Sequence, residues 1–398
     1  MDILALNCGS SSVKYQLFDW KRREVIAKGM VERVTVGDSF IVHEVPGRET
    51  YREEYECPSH ETAIHLIIKI LADAEHGVVK EIDEISAVGH RVVHGGEKFT
   101  RSVMIDEDVL AGIKEVQHLA PLHNPPNIAG IEAARSVLPD VPHVAIFDTA
   151  FHQTMPEHAY TYPLPHEWYT KYGVRRYGFH GTSHAYVSHR AAEILQKPFN
   201  ELKLVTCHLG NGSSITAVDC GKSVDTSLGF GTVPGVLMGT RSGEVDPTLV
   251  LYLMDKENLD TKLMSHILHK ESGILGISGI SSDLRDVEEA AEQGNQRAKL
   301  ALDMLCYGVR KHIGAYAAAM GGIDAIVFTA GIGENSSTVR KMVVEGLEFL
   351  GADVDPEKNN VRGKERIIST DGAKVSVVVV PTNEELVIAR DTKELIKV

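Results

Sequence analysis

The chain is poor in cysteine and has no paired cysteine motif. Its five cysteines (Cys8, Cys57, Cys207, Cys220 and Cys306) are odd in number and far apart, with no CxxC among them. A reduced, cytoplasmic setting is the simplest reading. Long apolar runs are also lacking. The densest, Val375 to Val380, is far too short to span a bilayer and reads as a buried strand. The opening MDILALNCGSSS has no basic region and turns polar after six residues, unlike a secretory signal. Positive charge is the minority sign: 41 basic against 55 acidic side chains leave a formal charge of −14. That balance disfavours nucleic acid and anionic membrane as partners. An anionic substrate would need a local cationic pocket.

Several familiar motifs are incomplete. Gly221-Lys222-Ser223 ends like a phosphate-binding P-loop, but the position of its first glycine holds Thr216. The segment is better read as a hairpin turn. Gly331-Ile332-Gly333 lacks the third glycine of a dinucleotide fingerprint, because Ser336 stands there. His166-Glu167 begins an HExxH pattern that Thr170 breaks. His180 and His184 are four apart, but Gly181-Thr182-Ser183 between them reads as a turn and a helix cap, which argues against a zinc pair.

What is present is an α/β pattern long enough for two domains. Asp2–Leu6 reads as a strand, Val13–Phe18 as its return and Val25–Val31 as a third. Ile64, Ile67, Ile68 and Leu71 keep helical spacing behind Ser59, a candidate N-cap. Val141–Phe147 reads as a buried strand ending at Asp148. A long helix is expected over Asn295–Met320, closed by Gly321-Gly322, then a strand over Ile323–Thr329. A last helix begins near Glu384. Leu4–Ser12 and Val205–Ser213 echo one another, each an apolar strand running into a small-residue turn. Their spacing of about half the chain suggests a duplicated domain with a cleft between the halves.

Turns of Gly, Ser and Asn after a strand gather backbone N–H groups that suit phosphate oxygens. Three are expected here, at Asn7–Ser12, Gly210–Ser213 and Gly331–Asn335. Arg91, just past a strand-like run over Ile85–Val88, precedes Gly95-Gly96, and Arg241 lies between Gly239 and Gly243. With His180 they make a credible cationic pocket, and arginine suits a carboxylate or phosphate better than lysine.

These residues carry a resemblance to the acetate kinases, within the superfamily of acetate and sugar kinases, heat-shock chaperones and actin. Ten collinear segments bear it: NCGSSSVKYQLFD at Asn7, GHRVVHGG at Gly89, PLHNP at Pro121, FDTAFH at Phe147, RRYGFHGTSH at Arg175, HLGNGSS at His208, MGTRSGEVDP at Met238, SSDLRD at Ser281, FTAGIGEN at Phe328 and VPTNEE at Val380. The resemblance implies an α/β fold of two duplicated ribonuclease H-like, actin-like ATPase domains with an interdomain active site, in a homodimer. The first domain would span 1–150, completed by a C-terminal helix over 385–398, and the second 151–384. The implied reaction is reversible phosphoryl transfer between ATP and acetate, linked to acetyl-CoA metabolism. It depends on Mg²⁺, for which Mn²⁺ can substitute.

By the same resemblance Asn7 and Glu384 would hold the metal, and Ser10, Ser12 and Lys14 would lie near the phosphates. Arg91 would bind the carboxylate. Asp148 is the family's catalytic acid, and His180 and Arg241 would stabilise the transition state. His208, Leu209, Gly210, Asn211 and Gly212, then Asp283, Leu284 and Arg285, then Gly331, Ile332, Gly333, Glu334 and Asn335 would contact ATP. Val93, Leu122 and Phe179 would form the methyl pocket. One segment departs: where relatives commonly read FTPLEGL, this chain reads Phe230-Gly231-Thr232-Val233-Pro234-Gly235-Val236. Thr232 or Pro234 would take the place of a displaced pocket proline. Acetate is already ionised at neutral pH and needs no general base, so Asp148 is read as organising metal water or arginine in preference to moving a proton. The alternatives are a propionate or butyrate kinase and, in another class, an actin-like ATP-binding protein without kinase activity.

Overall fold

The computed structural model describes residues 1–396, so the last two positions of the expected 385–398 helix lie outside the described residues. The chain divides into two units: Met1–Ala150 with the residues from Asn383 on, and Phe151–Thr382. The division puts Glu384 in the first unit, where 151–384 had assigned it to the second.

The first unit is built on eight strands: β1 (Asp2–Cys8), β2 (Ser12–Asp19), β3 (Glu24–Glu32), β4 (Phe40–Glu44), β5 (Tyr51–Glu54), β6 (Ile85–Val92), β7 (Val103–Met104) and β8 (His143–Phe147). Their order is β5-β4-β3-β2-β1-β6-β8-β7. β1, β6 and β8 run parallel, and β2 and β3 return antiparallel. β1 is buried almost throughout because both faces of the sheet are covered. Leu4 and Leu6 pack with Ile64 and Ile67 of the helix His60–Leu71, whose N-cap Ser59 accepts from Thr62 N–H. Ala5 faces the other way, toward Ile388 of the helix Glu384–Ile396. That helix lies so close to the sheet that a Cβ on Gly89 would stand 2.3 Å from Thr392 Oγ1. Any larger residue at 89 would push away the helix that carries Glu384.

The second unit repeats the plan with β9 (Lys203–Leu209), β10 (Ser213–Asp219), β11 (Lys222–Thr226), β12 (Ala325–Thr329), β13 (Arg366–Ile367) and β14 (Ser376–Val379). The order is β11-β10-β9-β12-β14-β13. β9, β12 and β14 are parallel, with β10 and β11 antiparallel, matching β1, β6, β8, β2 and β3 in the first unit. Two units of this strand order are the duplicated actin-like ATPase fold. The long helix Gln296–Ala319 supplies Leu302, Leu305, Val309 and Ile313 to one face of this sheet. Val187 and Ala191 of the helix Gly181–Leu195 cover the other.

Three local expectations are corrected. β6 does not end at Val88 but continues through Arg91 and Val92, because His90–Val92 are paired in register with Ala145–Phe147 of β8. Gly331–Asn335 is not an open turn but part of a short helix, Ala330–Asn335, entered through Ala330 at φ 62°. Gly181-Thr182-Ser183 are helical: the helix starts at Gly181, and His180 is its N-cap in the left-handed region. No described helix is long and apolar enough to cross a membrane.

Candidate active site

In each unit the predicted residues gather at the carboxyl ends of the parallel strands, where backbone groups and side chains point out of the sheet. In the first unit, β1 ends at Asn7-Cys8, β6 at Arg91-Val92, and β8 runs into Asp148. Asp148 N–H donates to Val92 O at 2.9 Å, which continues the β6–β8 ladder to the carboxylate. Arg91 Nη2 donates to Asp148 Oδ2 at 2.9 Å and Nη1 to Asn7 Oδ1 at 3.3 Å. Glu384, at the start of its helix, brings Oε2 within 3.8 Å of Arg91 Nε, a buried atom with no hydrogen-bond partner among the described residues.

The electrostatics follow from burial. Burial opposes the Arg91 charge, but Asp148 and Glu384 outweigh it and hold its pKa above the ordinary value. Burial pushes Glu384 up to about 7; Asp148 and Glu385 add to the rise against the pull of Arg91. The first unit thus holds one fixed cation beside two carboxylates and an amide oxygen. Among the described residues there is no group of three His, Cys, Asp or Glu fit to cage a metal. The small oxygen set of Asn7, Asp148 and Glu384 fits Mg²⁺, which takes one or two carboxylates and otherwise keeps water and phosphate oxygens.

Ser10 lies in the turn after β1, and Ser12 and Lys14 at the start of β2. Gly9 N–H closes the turn by donating to Ser12 O at 2.8 Å, and His60 Nε2 lies 2.7 Å from Gly9 O. Val93 is buried and Leu122 is 67% exposed, so of these two only Val93 has its surroundings fixed by packing. Two asparagines that carried no assignment set the backbone here. Asn127 donates to Cys8 O at 2.6 Å and accepts from Val93 N–H at 3.0 Å. Asn124 accepts from His94 N–H at 3.0 Å and donates to His94 O at 2.9 Å. Their sequence signal was the PLHNP segment and the asparagine that follows it.

In the second unit a cavity of about 590 Å³ is lined by Gly210, Asn211, Asp283, Leu284, Arg285, Gly331, Ile332 and Asn335, all expected at the nucleotide. Ser282, Glu288, Ser336 and Arg362 line it as well and were not anticipated. His208, Leu209, Gly212, Gly333 and Glu334 are not in its lining. Leu209 is fully buried in the hydrophobic core, because the β9 register turns it inward. Glu334 Oε1 accepts from Thr382 N–H at 3.0 Å. Asp283 caps the helix Leu284–Glu292, and the Arg285 side chain beside it holds its carboxyl down at about 2.

His180 and Arg241 meet at the HLGNGSS turn. A Cβ on Gly212 would stand 3.4 Å from Arg241 Nη1 and 3.5 Å from His180 Nε2. Arg241 Nη1 donates to Thr232 O at 3.1 Å, so the departing segment Phe230–Val236 braces this arginine through its backbone. Phe179 is buried in this unit, its carbonyl 3.0 Å from His152 Nε2.

Comparison with known proteins gives the family and supports the fold. The model of the acetokinase family matches residues 2–390. The chain belongs to the acetokinase family. It is 63% identical to the acetate kinase of Geobacter sulfurreducens, over 98% of this chain and 94% of that protein. It is 58% identical to the acetate kinase of Carboxydothermus hydrogenoformans, over 100% and 99%. The crystal structure of Porphyromonas gingivalis acetate kinase superposes with a TM-score of 0.96 at 50% identity, each chain fully covered. A propionate kinase from Francisella tularensis gives 0.92 at 40% identity, with 99% of each covered. The chain is accordingly a phosphotransferase with a carboxyl group as acceptor.

Proposed function

We propose that the chain transfers the γ-phosphoryl group of ATP reversibly to acetate, giving acetyl phosphate and ADP. The observation that carries this reading is Arg91, a partly buried guanidinium fixed by Asp148 and Asn7 whose buried Nε is still unbonded among the described residues. Such a group binds a small carboxylate against a chain charge of −14. An acetate oxygen attacks the γ-phosphorus while the bond to the ADP oxygen breaks. No proton has to move, so the demand on the protein is positioning and neutralisation of charge. Arg241 and His180, converging at Gly212, serve the transferring group, and the 590 Å³ cavity takes the nucleotide. Asp148 keeps Arg91 in place. Mg²⁺, when bound at Asn7 and Glu384, neutralises phosphate charge.

Two features support a homodimer. None of the residues of the helix Pro247–Lys256 is buried, although it reads PTLVLYLMDK, and Leu251 and Tyr252 are 68% and 58% exposed. Leu300, Met304 and Tyr307 form a second exposed apolar stripe at helical spacing. A second copy of the chain would cover such faces. Free thiols at all five cysteines fit a cytoplasmic setting.

The test is hydroxylamine trapping of acyl phosphate with Mg-ATP and acetate, propionate or butyrate. Trappable product with acetate as the best acceptor is expected. Steady ATP hydrolysis with no trappable product would instead favour an ATP-binding protein without kinase activity.

A further inference from the structure

His180 has an unusual support. Its backbone is left-handed at φ 58°, and Gly178 two residues earlier stands at φ 77°. The intervening Phe179 carbonyl lies 3.0 Å from His152 Nε2, and His152 Nδ1 is 2.8 Å from Ser223 Oγ. A carbonyl only accepts, so the His152 proton is on Nε2 and the Ser223 hydroxyl donates to Nδ1. This buried histidine fixes the backbone on which the His180 ring is mounted.

The ring itself ends a chain of short polar contacts. His180 Nδ1 is 2.8 Å from Ser214 Oγ, Ser214 Oγ is 2.7 Å from His184 Nε2, and His184 Nδ1 is 2.7 Å from Thr206 Oγ1. Ser214, His184 and Thr206 are fully buried. The Ser214 hydroxyl has one proton and cannot donate to both imidazoles, so the tautomers of His180 and His184 are coupled. Thr206 Oγ1 has two acceptors to choose from. It either donates to the Thr216 carbonyl at 3.5 Å and accepts from His184 Nδ1 at 2.7 Å, or donates to that nitrogen, so these contacts allow two registers. In the second register the protons run from Thr206 to His184, from His184 Nε2 to Ser214 and from Ser214 to His180 Nδ1. Neutral His180 is left with its own proton on Nε2, the nitrogen that faces the Gly212 turn beside Arg241.

We propose that Ser214, backed by His184 and Thr206, is a positioning residue that holds His180 as the neutral imidazole with its proton on Nε2. This rests on the reading of His180 as a contact of the transferring phosphoryl group. The opposite register would aim a nitrogen lone pair at anionic oxygens. The assigned register supplies a donor at the start of the reaction without adding a second charge beside Arg241.

The experiment is ¹⁵N NMR of the full chain labelled at histidine, at neutral pH, with His180 assigned by the signals lost in His180→Gln. A pyridine-like Nδ1 and a pyrrole-like Nε2 are expected; a pyrrole-like Nδ1, alone or as an imidazolium, overturns the proposal. Ser214→Ala should lower kcat about 10- to 100-fold with KM for ATP and acetate nearly unchanged, and should convert the His180 signals to a tautomer mixture. Ser214→Thr keeps the hydroxyl and should recover most of the lost kcat. If His180→Ala is crippled while Ser214→Ala turns over normally, or loses kcat with the His180 tautomer unaltered, the positioning role alone falls. If His180→Ala keeps its kcat, the underlying reading of His180 falls with it. Should the Ser214 variants not fold, the wild-type spectrum still decides.

Discussion

Arg91 Nη2 donates to Asp148 Oδ2 at 2.9 Å, across the ends of two adjacent parallel strands. The aspartate is buried and the arginine partly so, so the pair is screened by solvent less than a surface pair would be. Arg91→Ala should therefore lower kcat by two orders of magnitude or more, the usual cost of about 3 kcal/mol for one preorganised donor. Arg91→Lys should not restore it, since a single ammonium cannot reach Asp148, Asn7 and a carboxylate together. Steady-state kinetics with acetate would check both, and near-normal kcat in Arg91→Ala would remove the carboxylate clamp from the mechanism.

The same pair separates two roles for Asp148. If it orients Arg91, Asp148→Asn keeps an accepting oxygen and should retain more activity than Asp148→Ala. The pH–kcat profile of Asp148→Asn should keep the shape of the wild type. Loss of an entire limb of that profile would mean that Asp148 moves a proton.

A second buried pair bears on stability. His90 Nε2 is 3.0 Å from His143 Nδ1, and His143 Nε2 is 3.0 Å from Leu138 O. The carbonyl fixes the His143 proton on Nε2, so His90 donates to Nδ1 and the pair is satisfied only when His143 is neutral. Burial, with the charges of His143 and Arg135 added, holds His90 well below its ordinary 6.5, and burial lowers His143 too. Below pH 6.5 the unfolded chain therefore binds protons that the folded one refuses, and stability falls as pH falls. The slope should approach about 1.4 kcal/mol per pH unit for each histidine. Denaturant unfolding of wild type and His90→Gln between pH 7 and 5, roughly the histidine range, should show a shallower decline in the variant. Parallel curves would show that the pair does not titrate in this window.

Arg340 ties together segments that adjoin the lining of the 590 Å³ cavity. It is fully buried, donates to Gly333 O at 2.8 Å and to Asn359 Oδ1 at 2.8 Å, and reaches Asn359 O and Val361 O at 2.7 and 2.9 Å. Burial, with Arg362 nearby, lowers its pKa to about 10. Arg340→Met would leave those acceptors unpaired, and a loss of about 3–5 kcal/mol is expected. Because Gly331, Ile332 and Arg362 line the cavity beside these segments, KM for ATP should rise more than KM for acetate. Equal changes in the two constants would show that the brace serves the fold alone.

Arg340 also illustrates what the sequence could not tell. It stands on the helix Ser337–Val344 and reads as one more charge on a solvated face. Its burial depends on carbonyls some twenty residues away. Ser214, Asn124 and Asn127 are similar: short polar residues whose partners lie 30 or more residues away in the chain. By contrast, Asn7, Arg91, Asp148 and the turns at Asn7–Ser12 and Gly210–Ser213 were legible. Each follows a run of apolar residues and so marks the end of a buried parallel strand. The doubled strand order was legible in outline too, because Leu4–Ser12 and Val205–Ser213 have the same apolar-then-small pattern. Arg91 itself was placed just past a strand because His90 and Arg91 are polar. The ladder to β8 overrode that local signal.

Substrate size is set by apolar contact, and here Val93 carries the argument. It is buried directly after β6, with its N–H held by Asn127 Oδ1 at 3.0 Å, so its side chain cannot retreat by backbone movement without breaking that bond. Leu122 is two-thirds exposed and gives less resistance. On the proposed reading of Val93 as a pocket residue, it is the wall against a longer acyl chain that packing holds most firmly within the first unit. One methylene in an apolar pocket is worth roughly 1–3 kcal/mol, or about 10- to 200-fold in kcat/KM. Acetate should be preferred over propionate at the lower end of that range, since the segment over Phe230–Val236 spends the Thr232 carbonyl on Arg241 and displaces the usual proline. Val93→Ala should then relax the preference, chiefly through a lower KM for propionate. The measurement is kcat/KM for both acids in wild type and variant. An unchanged ratio, or a wild-type preference for propionate, would show that Val93 does not set the size of the acid.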